Sequence, residues 1–202
     1  SNAKVKDSAA TTVAASGTEG GTILLASSEE ISLSGSFNAS GTTRAGGKIG
    51  IHGAAVQLER AQLVADGRSG GRIRIGSPLQ GGDMPGQQVP ITNMVTLTSG
   101  TRVRADGEAE GGTIEFNAGF VGLGGDIYAN GATGGTVLAN ASRTLSLAEN
   151  VSARGRTGAG GYIAYTSGGI TLEPNSSVND ASGATDGGTI SSAAGGGLLS
   201  SG

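Results

Sequence analysis

Short alternating runs of apolar and polar residues recur along this chain, and a pair of glycines precedes the most regular of them. The doublets are Gly20-Gly21, Gly46-Gly47, Gly70-Gly71, Gly111-Gly112, Gly134-Gly135, Gly160-Gly161 and Gly187-Gly188, spaced by 26, 24, 41, 23, 26 and 27 residues. The second residue after each pair is aliphatic: Ile23, Ile49, Ile73, Ile114, Val137, Ile163 and Ile190. Two residues further on stand Leu25, Ile51, Ile75, Phe116, Ala139 and Tyr165. A period of two with one apolar side is the mark of a half-buried strand.

Each unit repeats the pattern twice more before the next doublet. A second strand is expected with Ile31/Leu33, Val56/Leu58, Val95/Leu97, Val121/Leu123, Leu145/Leu147 and Ile170/Leu172 turned inward. A third is expected with Phe37/Ala39, Leu63/Ala65, Val103/Ala105, Ile127/Ala129, Val151/Ala153 and Val178/Ala181 inward. Three short strands in 23 to 27 residues, repeated without a break, predict an all-β fold. The expected architecture is a right-handed, single-stranded parallel β-helix of about six to seven coils, in which each repeat buries its apolar face only against its neighbours. Six full coils at about 4.8 Å give a rod about 30 Å long.

The corner after each third strand reads Ala-x-Gly, with Ser16, Ser40, Asp66, Asp106, Asn130, Arg154 and Ser182 at x. Small polar residues before glycine suit a sharp bend, and positive φ is expected at these glycines. One unit is longer than the rest, because nineteen residues separate Ile75 from Val95. The stretch 76–94 contains Pro78, Pro85 and Pro90 and is expected to leave the rod as an inserted loop. Residues 1–3 read as the remnant of an expression tag, and residues 4–202 as one β-helical body. With no polar or helical cap evident at either end, the body is expected to be a segment of a longer rod.

Composition agrees with this reading. Forty glycines, three Phe, three Tyr and no Trp in 202 residues are a poor recipe for a core of large aromatics, whereas columns of Ile, Val, Leu and Ala need none. No apolar run approaches the roughly 20 residues that cross a bilayer, so no membrane insertion is expected. The absence of Cys excludes disulfides and thiolate sites. A net charge of −3 gives no reason to expect nucleic-acid binding.

The coil Gly-Gly-x-Ile-x-Ile, then Val-x-Leu, then Val-x-Ala-x-Gly, clearest in 111–131 and 134–155, resembles the shaft repeats of filamentous haemagglutinin-like exoproteins of the two-partner secretion class. The resemblance runs from about Thr12 to Ile190. It implies a non-enzymatic, monomeric shaft in a bacterial adhesin, secreted or held at the cell surface, used in adhesion, biofilm growth or competition. It also implies an outer-membrane transporter as export partner and a surface glycan or receptor as a target. The Asn-Pro-Asn-Gly and Asn-Pro-Asn-Leu motifs of that class's secretion domain are missing, the nearest string being Glu173-Pro174-Asn175-Ser176.

Candidate chemistry is sparse, and no cofactor or metal is expected. Asp66 and Asp106 share a corner position in consecutive coils, about 5 Å apart, a spacing that suits a polysaccharide lyase or hydrolase. The plainer reading makes both Asp-Gly turn formers with no cleft around them. His52 is the only histidine and is expected to stand exposed at a corner. Gly124-Gly125-Asp126 imitates a calcium-roll motif at the wrong period, and neither Gly-x-Gly-x-x-Gly nor a phosphate loop occurs. Glycosylation triplets at Asn38, Asn140, Asn150 and Asn175 are expected by chance in so serine-rich a chain.

Charge is unevenly spread. Residues 44–104 hold eight of the thirteen basic groups against Glu59, Asp66 and Asp83. Lys48 and Arg72 are expected to stack on one outer face, with Tyr162 farther along it. With Arg74, Asp83 and the 76–94 loop they make a candidate site for anionic glycans. The alternative is cross-coil pairing, with Arg74 beside Glu115, Arg102 beside Asp126 and Arg104 beside Tyr128.

Overall fold

The computed structural model describes residues 4–77, 91–147, 149–174 and 178–201, with the backbone alone at 173–174 and 198–201. Among these residues the regular structure is all β-strand, and every strand pairing is parallel. The chain winds about seven times into a β-solenoid with three faces. The first face begins with Thr22–Ala26, Lys48–His52 and Arg72–Gly76. The second includes Glu30–Leu33, Ala55–Leu58 and Met94–Leu97, and the third runs from Thr12–Ala14 to Val178–Asp180. Thr113–Leu123 and Thr136–Leu147 run unbroken through the corner between first and second faces, so these two faces form one sheet.

Register is strict. On the first face Ile23 lies on Ile49, Ile49 on Ile73, Ile73 on Ile114, Ile114 on Val137, and Val137 on Ile163. These columns and their second- and third-face counterparts are buried, and together they make one continuous core. Burial of each Ile, Val or Leu side chain contributes roughly 1.5–3 kcal/mol, so the stack of columns carries the fold.

The two glycine motifs turn out to be two halves of one device. In every coil the N–H of the second doublet glycine donates to the carbonyl of the Ala in Ala-x-Gly, as in Gly47 to Ala39 (2.7 Å) and Gly71 to Ala65 (2.7 Å). This bond closes the third corner into an arch. The neighbouring coil passes so close that a Cβ on Gly46 would collide with Ala65 O, and one on Gly47 with Gly21 O. Glycine is required for backbone approach, not for handedness. Among the described residues positive φ occurs only at Arg60, Gly76, Gly100 and Gly197, so the expectation of positive φ at the Ala-x-Gly corners is wrong.

The inserted segment is narrower at its base than the spacing suggests. Gly76 closes a first-face strand with φ of 99°, and Ser77 follows. The chain is back in the wall of the rod at Thr92, which is fully buried. Its N–H donates to Ser77 Oγ (2.7 Å) and its hydroxyl to Gly53 O (2.7 Å), and Asn93 N–H donates to Ala54 O (2.8 Å). Residues 78–90, with Asp83, lie outside the described residues.

The sixth coil departs from its expected inward pairs. Ile170 stacks on Thr144, Thr171 on Leu145 and Leu172 on Ser146, so Thr171 is buried while Ile170 and Leu172 are about two-fifths exposed. On the third face Asn179, not Val178, stacks on Val151. The reason is continuity of the ladder. The first-face strand Tyr162–Ser167 pairs with Thr136–Leu147 at an offset of 26 residues, Gly168 N–H bonds Ala141 O, and the same offset carries through the corner. Asn179 also answers a need of the core, because its Oδ1 accepts the hydroxyl of buried Tyr165 at 2.5 Å.

Candidate functional site

Two places gather charged side chains. The first is the outer side of the first face, where Thr22, Lys48, Arg72, Thr113, Thr136, Tyr162 and Thr189 form one column through successive pairings. Lys48 and Arg72 are exposed direct neighbours, as expected, and Tyr162 is 41% exposed three coils beyond Arg72.

Arg74 differs. It faces outward in register with Gly50 and Glu115, yet it is only 7% exposed, and its Nε donates to Glu115 Oε2 at 2.6 Å. Glu115, itself 5% exposed, also accepts from Arg72 Nη2 at 3.0 Å. A ligand on this face reaches Lys48 and Arg72 but not Arg74. Of the expected glycan set, Lys48 and Arg72 are therefore together at the surface, Arg74 is paired below it, and Asp83 is outside the described residues.

His52 corrects an expectation. It ends the strand Lys48–His52 with its side chain outward, but it is fully buried. The residues stacked around it are small: Ala26 below, Gly50 two places back and Gly76 above. The ring folds over Gly50, where a Cβ would meet Nε2 at 3.0 Å. Nδ1 lies 2.7 Å from Gly76 O, which can only accept, so Nδ1 carries a proton, and Nε2 has no hydrogen-bond partner.

The second place is the third corner. Here Ser40, Asp66, Asp106 and Asn130, four of the seven x residues of Ala-x-Gly, each accept a backbone N–H from the next coil through the side chain. Asp66 Oδ1 accepts from Asp106 N (3.0 Å), Asp106 Oδ1 from Asn130 N (2.7 Å), and Asn130 Oδ1 from Arg154 N (2.8 Å). Asp66 Oδ2 pairs with Arg104 Nη2 at 2.5 Å, and Arg156 Nη2 donates to Gly107 O at 2.7 Å. Asp66, Asp106, Arg104, Gly107, Glu108 and Arg156 line an open groove of about 300 Å³, so the expectation that no cleft surrounds the two aspartates is corrected.

Burial is the main force on the Asp106 carboxyl and pushes its pKa above the ordinary aspartate value. The Asn130 N–H opposes the shift, the Asp66 charge adds to it, and Arg104 and Arg156 pull against it. The arrangement is that of an acceptor ladder shared with a neutral asparagine. Both aspartates spend Oδ1 on backbone, which is what a turn former does.

The cross-coil pairs expected from register are present: Arg102 on Asp126 at 3.8 Å and Arg104 in register with Tyr128. Arg102 also lies 6.0 Å from the Tyr128 ring centre. Two triplet asparagines are engaged, Asn38 Oδ1 by Ser40 N–H and Asn150 Nδ2 by Asp126 Oδ1, while Asn175 lies outside the described residues. Missing from the sequence-derived site are Arg44 and Arg68, both exposed, with Arg68 N–H donating to Arg44 O at 2.7 Å. Each stands two residues before its glycine doublet, so alignment on the doublets already juxtaposes them.

Among the described residues no three His, Asp or Glu side chains are placed to hold a metal ion, and no helix is long and apolar enough to cross a membrane. In comparison with known proteins, no family model, no curated protein and no solved structure matches this chain.

Proposed function

We propose that this chain is a structural shaft segment of a large secreted bacterial adhesin of the filamentous haemagglutinin-like type, holding binding elements away from the cell surface. The observation that supports the reading is the absorption of patterned positions by stacking. The aliphatic columns fill the core, the glycines and alanines close the third corner, and the corner aspartates cap backbone N–H groups of the next coil. A rigid parallel ladder of this kind is suited to span distance, since each coil adds about 4.8 Å. The repeat resemblance supplies the setting, with export through an outer-membrane transporter.

The test uses the full exoprotein at the cell surface. Exchange of residues 12–190 for the same number of coils from an unrelated β-helix is expected to preserve adhesion, whereas deletion shortens the reach of whatever lies beyond. Loss of adhesion in the length-matched exchange overturns the shaft reading.

A carboxylate-pair hydrolase or lyase at Asp66 and Asp106 competes with this proposal. Incubation with pectin, alginate and glycosaminoglycans decides between them. New reducing or unsaturated ends that vanish in Asp66→Asn/Asp106→Asn establish the enzyme.

A further inference from the structure

Several cations on this rod face a carboxylate in a neighbouring coil. Lys4 meets Glu30 at 3.5 Å, Arg74 meets Glu115, Arg102 meets Asp126 and Arg104 meets Asp66. At one edge cation stacks on cation instead. Lys48 lies directly on Arg72, and in the same two coils Arg44 lies beside Arg68. Like charges on adjacent strands repel, so this arrangement works against the fold that carries it.

Relief is partial. Glu19 comes within 3.6 Å of Arg44, with both side chains largely exposed, and Glu115 holds Arg72 from below the surface. Lys48 and Arg68 have no ion-pair partner among the described residues. Between the two cationic pairs run Ala45-Gly46-Gly47 and Ser69-Gly70-Gly71. Four cations thus frame a floor of glycine with almost no side chains above it.

We propose that Arg44, Lys48, Arg68 and Arg72 form a binding site for an anionic polysaccharide. Its carboxylate or sulfate groups sit against two basic pairs, one on each side of the glycine floor. The guanidinium forks of Arg44, Arg68 and Arg72 offer bidentate contacts, Lys48 offers a point charge, and the parallel ladder holds their backbone in place before binding.

The boundaries of the patch set the direction of the ligand. Along the rod, Glu19 lies in the coil below, and exposed Glu108 and Glu110 lie at the same corner of the coil above. A strand of negative charge is repelled at both ends of that path, so the chain crosses the rod. The same boundaries argue against a DNA duplex or a membrane, which are wider than the roughly 10 Å of two coils and would meet all three glutamates. No aromatic side chain adjoins the four cations among the described residues, which leaves single-stranded nucleic acid without a stacking platform.

The site does not depend on the shaft reading, and its failure leaves that reading intact. The experiment measures binding of the whole chain to dextran sulfate, polygalacturonate, neutral dextran, duplex DNA and anionic phospholipid vesicles at about 50 and 200 mM salt. It compares wild type, Lys48→Gln/Arg68→Gln and Arg102→Gln. Expected is binding to at least one anionic polysaccharide, weakened by salt and reduced about tenfold or more in the double variant. Arg102→Gln, which lies on another face, is expected to bind within about twofold of wild type. The unliganded double variant is expected to unfold at the same temperature as wild type or higher, since it removes like-charge repulsion. Equal binding of neutral dextran, tighter binding of DNA or vesicles, unchanged affinity in the double variant, a lower unfolding temperature, or no polysaccharide binding overturns the proposal.

Discussion

The fifth and sixth coils have nearly the same pattern on paper and opposite outcomes on the second face. In the fifth, Leu145 and Leu147 point inward and are buried. In the sixth, Ile170 and Leu172 point outward, and Thr171 occupies the inward place with its hydroxyl unpartnered. The fifth coil steps by one residue at this corner, its offset passing from 23 at Ala118 to 24 at Phe120, whereas the sixth keeps an offset of 26 straight through. The side chains of the sixth are displaced by one against it. A parallel ladder binds each corner to the corner below, so moving a strand by one residue takes an irregularity at the corner, which the fifth coil has and the sixth lacks. Backbone continuity wins over the burial of two aliphatic side chains.

The largest expected effect tests the other half of the same idea, that close coil-to-coil approach is imposed by backbone. Gly47→Ala places a methyl against Gly21 O, with no side chain able to yield, and is expected to cost at least about 4 kcal/mol or to prevent folding. Gly187→Ala, in the last doublet, meets nothing within 4 Å and is expected to be neutral within about 0.5 kcal/mol. Soluble yield and thermal midpoint read the pair, and equal effects would mean the doublets serve some purpose other than packing.

Next in size comes the contrast between the coils themselves. Leu147→Ala opens a cavity in the core and is expected to cost about 2–5 kcal/mol, measured by urea midpoint. Leu172→Ala, which a pure pattern reading makes its equivalent, is expected to cost less than about 1 kcal/mol. Matched losses would show that Leu172 is inward after all.

These contrasts show where the fold was legible. The doublets and the alternation named every first-face strand and the core columns of the first five coils, because side-chain period and coil period coincide there. They misjudged 170–172 and 178, because corner geometry is a backbone property that the apolar pattern does not record. The site was legible in a similar proportion. Lys48 and Arg72 could be paired from the doublets alone, and so could Arg44 and Arg68. Burial of Arg74 and His52 could not, since both occupy outward positions and only the three-dimensional surroundings of Gly50 and Gly76 take them out of solvent. The groove around Asp66 and Asp106 was also hidden, because Arg156 reaches it from two coils away.

A smaller effect concerns Thr171. Its hydroxyl is fully buried and makes no hydrogen bond, which costs about 1–3 kcal/mol relative to a satisfied or apolar group. Thr171→Val keeps the branched shape and removes the unpaired oxygen. It is expected to raise stability by about 1 kcal/mol, or about 2–4 °C in thermal midpoint for a chain of this size. A drop instead would mean that the hydroxyl has a partner in solution, and that the sixth coil is better satisfied than its stacking suggests.

The smallest effect lies in the corner ladder and shows itself through pH. Asp106 has a folded-state pKa raised above its ordinary value, mainly by burial, so the native state binds its proton more tightly than the unfolded chain does. Its contribution is fully favourable below the ordinary aspartate range, declines as pH rises through the raised value, and is flat again at neutral pH. Asn130 occupies the same place one coil on and makes the same acceptor bond without a charge. Asp106→Asn keeps that bond, removes the carboxylate that faces Asp66, and is expected to raise the thermal midpoint at pH 7 by about 1–2 °C while leaving it unchanged near pH 3. A lowered midpoint at pH 7 would show that attraction from Arg104 and Arg156 outweighs burial, which would make the aspartates of this corner partners of the arginines first and backbone caps second.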